Sequence, residues 1–274
     1  MDDKGLNPDG TIAREGSLER VTPTFAPVVA AAREEITERF GDDRLHSAHL
    51  YGSVPRGTAV PGVSDLDLLL VLREQPTVRD RADADAAERA LDGAFDAIDG
   101  AGVLLVGVQA ALSELERYDL GFFISCLCTP LLGEDLATRL PAQRPTALLA
   151  RETNGDLALA VPRWRERMRD AGTGTDTGAQ TARRKLCRTA ARRIVRSGFT
   201  LVMPLWGGWT SDLAESAEVF AGHYPRRAEQ MRLAATVARN PTSDPAVIHT
   251  LVEDLGPWLA AEYTAVHGEK AART

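Results

Sequence analysis

The stretch LYGSVPRGTAVPGVSDLDLLLVL runs from Leu50 to Leu72. Its second part, Asp65 to Leu72, is apolar at every position except two aspartates. A strand with one wet face would alternate; this one is apolar on both faces, which predicts a strand interior to a sheet. Residues i and i+2 of a strand point to the same side. Asp65 and Asp67 are therefore expected side by side on a segment that should be buried. Like charges that close repel, and burying them unpaired is costly. A divalent cation removes both penalties, and Mg²⁺ favours one or two carboxylates together with phosphate oxygens and waters.

The first part of the stretch supplies complementary groups. Ser47 to Tyr51 reads as a short strand that runs into Gly52-Ser53. Glycine lets a phosphate approach the backbone, and serine adds a hydroxyl donor. Ser64 offers a second hydroxyl just before the aspartates, and Arg56 a fixed cation able to reach a phosphate.

Strand, Gly-Ser, a spacer of about ten residues, then Asp-x-Asp within an apolar strand resembles the signature of the polymerase-β-type nucleotidyltransferases. It resembles in particular the antibiotic nucleotidyltransferases of the aminoglycoside kind and the minimal nucleotidyltransferases of toxin–antitoxin systems. The resemblance implies that Gly52 and Ser53 hold a triphosphate, and that Asp65 and Asp67 bind two Mg²⁺ ions. It implies transfer of a nucleoside monophosphate from an NTP, ATP foremost, to a hydroxyl of a small, antibiotic-like acceptor. Two other readings stay open: a transferase acting on a protein or a tRNA end, and an NTP-binding regulatory module without turnover. The family usually places a third acid on a neighbouring strand. Here the matching strand, Val103 to Val108, has none, and Glu114 is the candidate only if that strand runs longer.

Outside the signature, the pattern predicts helices at Thr22 to Phe40 and Arg79 to Ile98, and a short one at Leu112 to Tyr118. Gly121 to Leu132 is apolar and ambiguous. From about Pro141 the chain reads as helices and loops. The segment from Asp170 to Gly178 is small and polar and reads as a mobile loop. Helices follow at Thr181 to Gly198, Ser211 to Ala221, Arg226 to Ala238, Pro245 to Leu255 and Pro257 to Val266. The expected fold is α+β: a small mixed sheet with flanking helices, nucleotidyltransferase-like, over residues 1–140. An all-helical bundle domain follows over 141–274. On the helix from Thr181, Arg184, Arg188, Arg192 and Arg196 recur every four residues, widened by Arg183, Lys185 and Arg193. By the same resemblance, Lys185 and Arg188 are expected to reach the triphosphate.

Composition sets the bounds. The chain has 274 residues, 44% hydrophobic and 26% charged, enough for a sizeable core. Aromatics are only 5%, so packing rests on aliphatic side chains. The net charge of −7 argues against sequence-blind nucleic-acid binding, which needs a basic surface. Three cysteines give no disulfide framework, and Cys126 and Cys128 read as small buried side chains. The N-terminus lacks the apolar core of a signal peptide, and no apolar run has the ~18 residues of a membrane span. A cytoplasmic protein with no membrane partner is the expectation; the sequence leaves the oligomeric state open.

Overall fold

In the computed structural model, which describes residues 4–172, 174 and 176–271, the chain divides into two compact units. One spans Thr11–Gln143. The other joins the residues up to Gly10 with Arg144–Thr274. Residues 4–10 thus group with the later helices, whereas the sequence pattern places the division at 140/141. Their anchor is far away in sequence: Trp209 N–H donates to Lys4 O at 2.8 Å, and Lys4 Nζ donates to Trp206 O at 2.8 Å.

The first unit is built on four strands: β1 (Leu45–Tyr51), β2 (Leu66–Leu72), β3 (Ala101–Gly107) and β4 (Cys128–Gly133). Their order is β3-β2-β1-β4, so β2 is interior, as its run of leucines predicts. β1 is antiparallel to β2 and β4; β2 and β3 are parallel. Helix α1 (Ala26–Arg44) precedes β1, and between the strands lie the four-residue turn α2 (Ser53–Arg56) and α3 (Val78–Ala94). The helix expected at 22–40 starts four residues later, with Pro27 in its first turn, and Gly41 breaks its geometry.

Alternation sorts β2 onto two cores. Leu66, Leu68, Leu70 and Leu72 pack with Ile36 and Phe40 of α1 and Ala84 and Leu91 of α3. Leu69 and Val71 face the other way, onto Ala111, Ile124, Cys128 and Leu136. That second layer comes from α4 (Val108–Ala111), α5 (Leu120–Phe122) and a π-turn at Phe123–Leu127 leading into β4. The ambiguous stretch 121–132 is thus half helical turn and half strand. The helix expected at 112–118 shrinks to a 3-10 turn at Glu114–Glu116.

The second unit is helical: α6 (Ala147–Asn154), α7 (Leu157–Ala171), α8 (Thr177–Trp206), α9 (Leu213–His223), α10 (Ala228–Arg239), α11 (Pro245–His249) and α12 (Gly256–His267). The long α8 is its axis and buries Leu186, Ala190, Ile194, Phe199 and Val202. A buried polar knot ties it to its neighbours. Asn154 Nδ2 donates to Thr200 Oγ1 at 3.0 Å, while Tyr263 O–H donates to Ala150 O at 2.6 Å. The loop expected at Asp170 to Gly178 is shorter, because α7 reaches Ala171 and α8 begins at Thr177; its residues 173 and 175 lie outside the described residues. Buried Trp209 and half-buried Trp206 pack edge-on against Phe199. No described helix is long and apolar enough to cross a membrane.

Candidate functional site

The candidate site grows from the open end of β2. Asp67 is the second residue of that strand, paired with Tyr51 of β1 on one side and Gly102 of β3 on the other. Asp65 lies one residue outside the ladder, which starts at Leu66. The sequence reading placed both aspartates within the strand; the ladder takes in only Asp67. Both side chains are half-buried.

Gly52 faces Asp67 directly. It has φ 81° and ψ −150°, a conformation that side chains other than hydrogen rarely adopt. A methyl group on it would collide with Asp67 Oδ2. The Gly-Ser turn and the carboxylate are thus in direct apposition, a cradle that only a glycine leaves open. Ser53 follows as the first residue of α2, which ends at Gly57 in the left-handed region. The loop then returns through a turn in which Val60 N–H donates to Ser64 Oγ at 2.9 Å. Ser64 therefore holds this turn, and its carbonyl accepts from Asp99 N–H at 3.1 Å. A serine hydroxyl that accepts still keeps its own proton to donate.

Arg56 has a partner that local sequence gives no reason to expect. Its Nη1 lies 3.3 Å from Glu15 Oε2, on a segment whose Ser17 N–H donates to Pro55 O at 2.9 Å. Glu15 is forty-one residues upstream, in a stretch that reads as polar and turn-rich, so no spacing signals the pair. Gly102, the neighbour of Asp67 on β3, carries as little signal in the sequence. Its only signal was its place at the start of an apolar run.

Glu114 does not extend β3. The strand ends at Gly107, and Glu114 sits on the later 3-10 turn, 84% exposed and 3.5 Å from Arg117. It therefore does not stand on β3 beside Asp67. Among the described residues no three His, Cys, Asp or Glu side chains come together as metal ligands. Cys126 and Cys128 are buried, and burial pushes the Cys126 thiol up to about 12 and that of Cys128 further. Beneath the site, His49 of β1 is fully buried in register with Leu69, and its Nε2 lies 3.1 Å from Ser47 Oγ. Burial holds its imidazole down at about 4.

Lys185 and Arg188 lie on α8 of the helical unit. Lys185 is exposed and Arg188 half-buried, and neither has an ion pair among the described residues. The rest of the basic face is less uniform than its spacing. Arg183 is buried and donates to the carbonyls of Gly172, Gly174 and Ser243, at 3.0, 2.7 and 2.9 Å. Arg193 pairs with Asp156.

Comparison with known proteins adds to this geometry. A family model described as a nucleotidyltransferase domain matches residues 29–98, a span that holds Gly52, Ser53, Arg56, Ser64, Asp65 and Asp67. No curated protein matches the chain by sequence. Among solved structures the chain is similar to spectinomycin adenyltransferase from Enterococcus faecialis, crystallised with ATP and spectinomycin. The two share 14% identity with a TM-score of 0.50, over 87% of this chain and 98% of the other. That likeness is one of fold: a four-stranded mixed sheet with flanking helices, followed by helices. The apposed Gly-Ser turn and Asp67 both lie within the span that the nucleotidyltransferase-domain model matches.

Proposed function

We propose that the protein transfers a nucleoside monophosphate from an NTP, ATP foremost, to a hydroxyl group of a small antibiotic-like acceptor. The observation that carries the reading is the contact of the Gly52-Ser53 turn with Asp67 at the open end of an interior strand. Backbone N–H groups at a glycine turn bind phosphate, and a carboxylate beside them is tolerable when a cation lies between. The donor set fits a divalent cation: Asp65 and Asp67 are the carboxylates, and phosphate oxygens complete the shell. When bound, Mg²⁺ neutralises the triphosphate and holds its oxygens for in-line displacement.

The chain's own part is positioning. Gly52 and Ser53 hold the phosphates against β2, and Ser64 keeps the loop that delivers Asp65. Arg56 adds positive charge if the triphosphate competes with Glu15. Lys185 and Arg188, neither in an ion pair among the described residues, are further cations proposed for the triphosphate. The acceptor oxygen forms a bond to the α-phosphorus while the α–β anhydride P–O bond breaks. Pyrophosphate leaves with the bonding pair, and the hydroxyl proton is released to the medium. Such chemistry depends on orientation and charge neutralisation more than on covalent participation. The neighbour in fold, a spectinomycin adenyltransferase, was solved with ATP and spectinomycin, which supports the acceptor class. The first 143 residues carry 25 Asp and Glu against 13 Lys and Arg, which suits a cationic acceptor.

A second reading, nucleotide binding without turnover, is favoured by one observation: no third carboxylate joins the pair among the described residues. One experiment separates the two. The protein is incubated with labelled ATP, Mg²⁺ and a panel of aminoglycoside-like hydroxyl compounds, proteins and RNAs. Label on a small compound is the expected result. Label on protein or RNA moves the acceptor class. Tight ATP binding without pyrophosphate release for any acceptor supports the second reading. Asp67→Asn should abolish metal-dependent ATP binding with the circular-dichroism spectrum unchanged; binding equal to wild type refutes the site assignment.

A further inference from the structure

We propose that the Asp65–Asp67 pair takes one divalent cation, arriving with the triphosphate, and does not hold a second. The proposal rests on the nucleotide-binding reading above and refines its metal content. Two cations about 3.5–4 Å apart need ligands that bridge them and ligands that terminate each one. A single Mg²⁺ needs only one or two carboxylates with phosphate and water. The sheet face around Asp67 decides between these.

On that face the register is explicit. Asp67, Leu69 and Val71 of β2 stand beside Gly102, Leu104 and Val106 of β3, and beside Tyr51, His49 and Ser47 of β1. Gly102 brings no side chain. A Cβ there would lie 3.9 Å from Asp67 Oδ1, an ordinary contact distance, so room for a donor exists and none fills it. The next residue on the row, Leu104, is 49% exposed, an apolar side chain half in water on the face of the carboxylate. On the β1 side, the Tyr51 ring packs edge-on against Phe123 with centroids 4.9 Å apart, and His49 is fully buried. No described carboxylate, imidazole or thiolate stands ready to complete a second coordination shell.

The test counts ions rather than turnover. Mn²⁺ is titrated into the full-length protein saturated with a non-hydrolysable ATP analogue, and bound ions are followed by electron paramagnetic resonance. Nucleotide binding is measured separately by calorimetry. One bound Mn²⁺ per bound nucleotide, with an uncoupled six-line spectrum, is the expected result. Two ions per nucleotide with a spin-coupled spectrum overturn the proposal. Leu104→Glu, and Gly102→Asp as a second variant, each add a carboxylate on the open face. At least one of them should raise the count from one to two while circular dichroism stays unchanged. A count of one in both folded variants overturns the argument from the missing donor. Absence of nucleotide binding in the wild type removes the functional reading as well, and calorimetry reports that failure separately from the ion count.

Discussion

Replacing Gly52 by alanine tests the geometry of the site most directly. Two penalties act together. The backbone at φ 81° and ψ −150° is hostile to a side chain, at a cost of about 1–3 kcal/mol. The new methyl group also meets Asp67 Oδ2 well inside contact distance, so either the carboxylate or the turn must move. The total is about 2–4 kcal/mol of stability. A urea titration followed by circular dichroism measures it. Calorimetry with Mg²⁺ and a non-hydrolysable ATP analogue should show nucleotide affinity lowered at least ~10-fold, since 1.4 kcal/mol corresponds to tenfold. Gly93→Ala is the control. Gly93 is an exposed residue of α3 with open space around its Cα, so alanine there should stabilise by about 0.5–1 kcal/mol and leave affinity unchanged. A Gly52→Ala protein as stable as the wild type, with unaltered affinity, would refute the reasoning.

Three further outcomes follow from the packing. His49 is buried neutral, with its pKa depressed from 6.5 to about 4; its contribution is therefore full above pH 6.5 and is lost as pH falls toward 4. The loss is roughly 3 kcal/mol, read from urea midpoints across that window, and a folded His49→Leu variant should show a correspondingly weaker acid dependence. Leu68→Ala empties a fully buried position of the interior strand and should cost about 2–5 kcal/mol in chemical denaturation; a cost below 1 kcal/mol would contradict an interior β2. Tyr263→Phe removes the hydroxyl that donates to Ala150 O at 2.6 Å and lies 3.0 Å from Thr200 Oγ1, and should cost about 1–3 kcal/mol without affecting nucleotide binding.

The sheet was legible because its signal is local. A run of leucines interrupted by two aspartates states both the strand and its interior position, and β1 ends at the Gly-Ser pair where the turn begins. What escaped was non-local. The limit of the ladder at Leu66 is set by pairing with Ala101 and the bond from Leu66 N–H to Gly100 O, which β2 alone does not encode. The Glu15–Arg56 pair depends on a segment returning over Pro55. The helical turn at Leu120–Phe122 and the π-turn after it are as apolar as the strand they precede, so hydrophobicity could not divide them. The basic face of α8 had the right period, yet Arg183 turns inward because three backbone carbonyls await it. A repeat of four residues places side chains on a helix; it does not say what each will meet.

The route of the backbone has a consequence for synthesis. Lys4 bonds to Trp206, the last residue of α8, across 202 residues, so residues 4–10 cannot settle until that helix exists. The sheet unit, Thr11–Gln143, is in effect an insertion into the helical one, and all of its strands are available sooner. On a ribosome the sheet can close while its leading peptide waits, and that peptide then seals the helical body as a late latch. A fragment beginning at Arg144 would lack the latch.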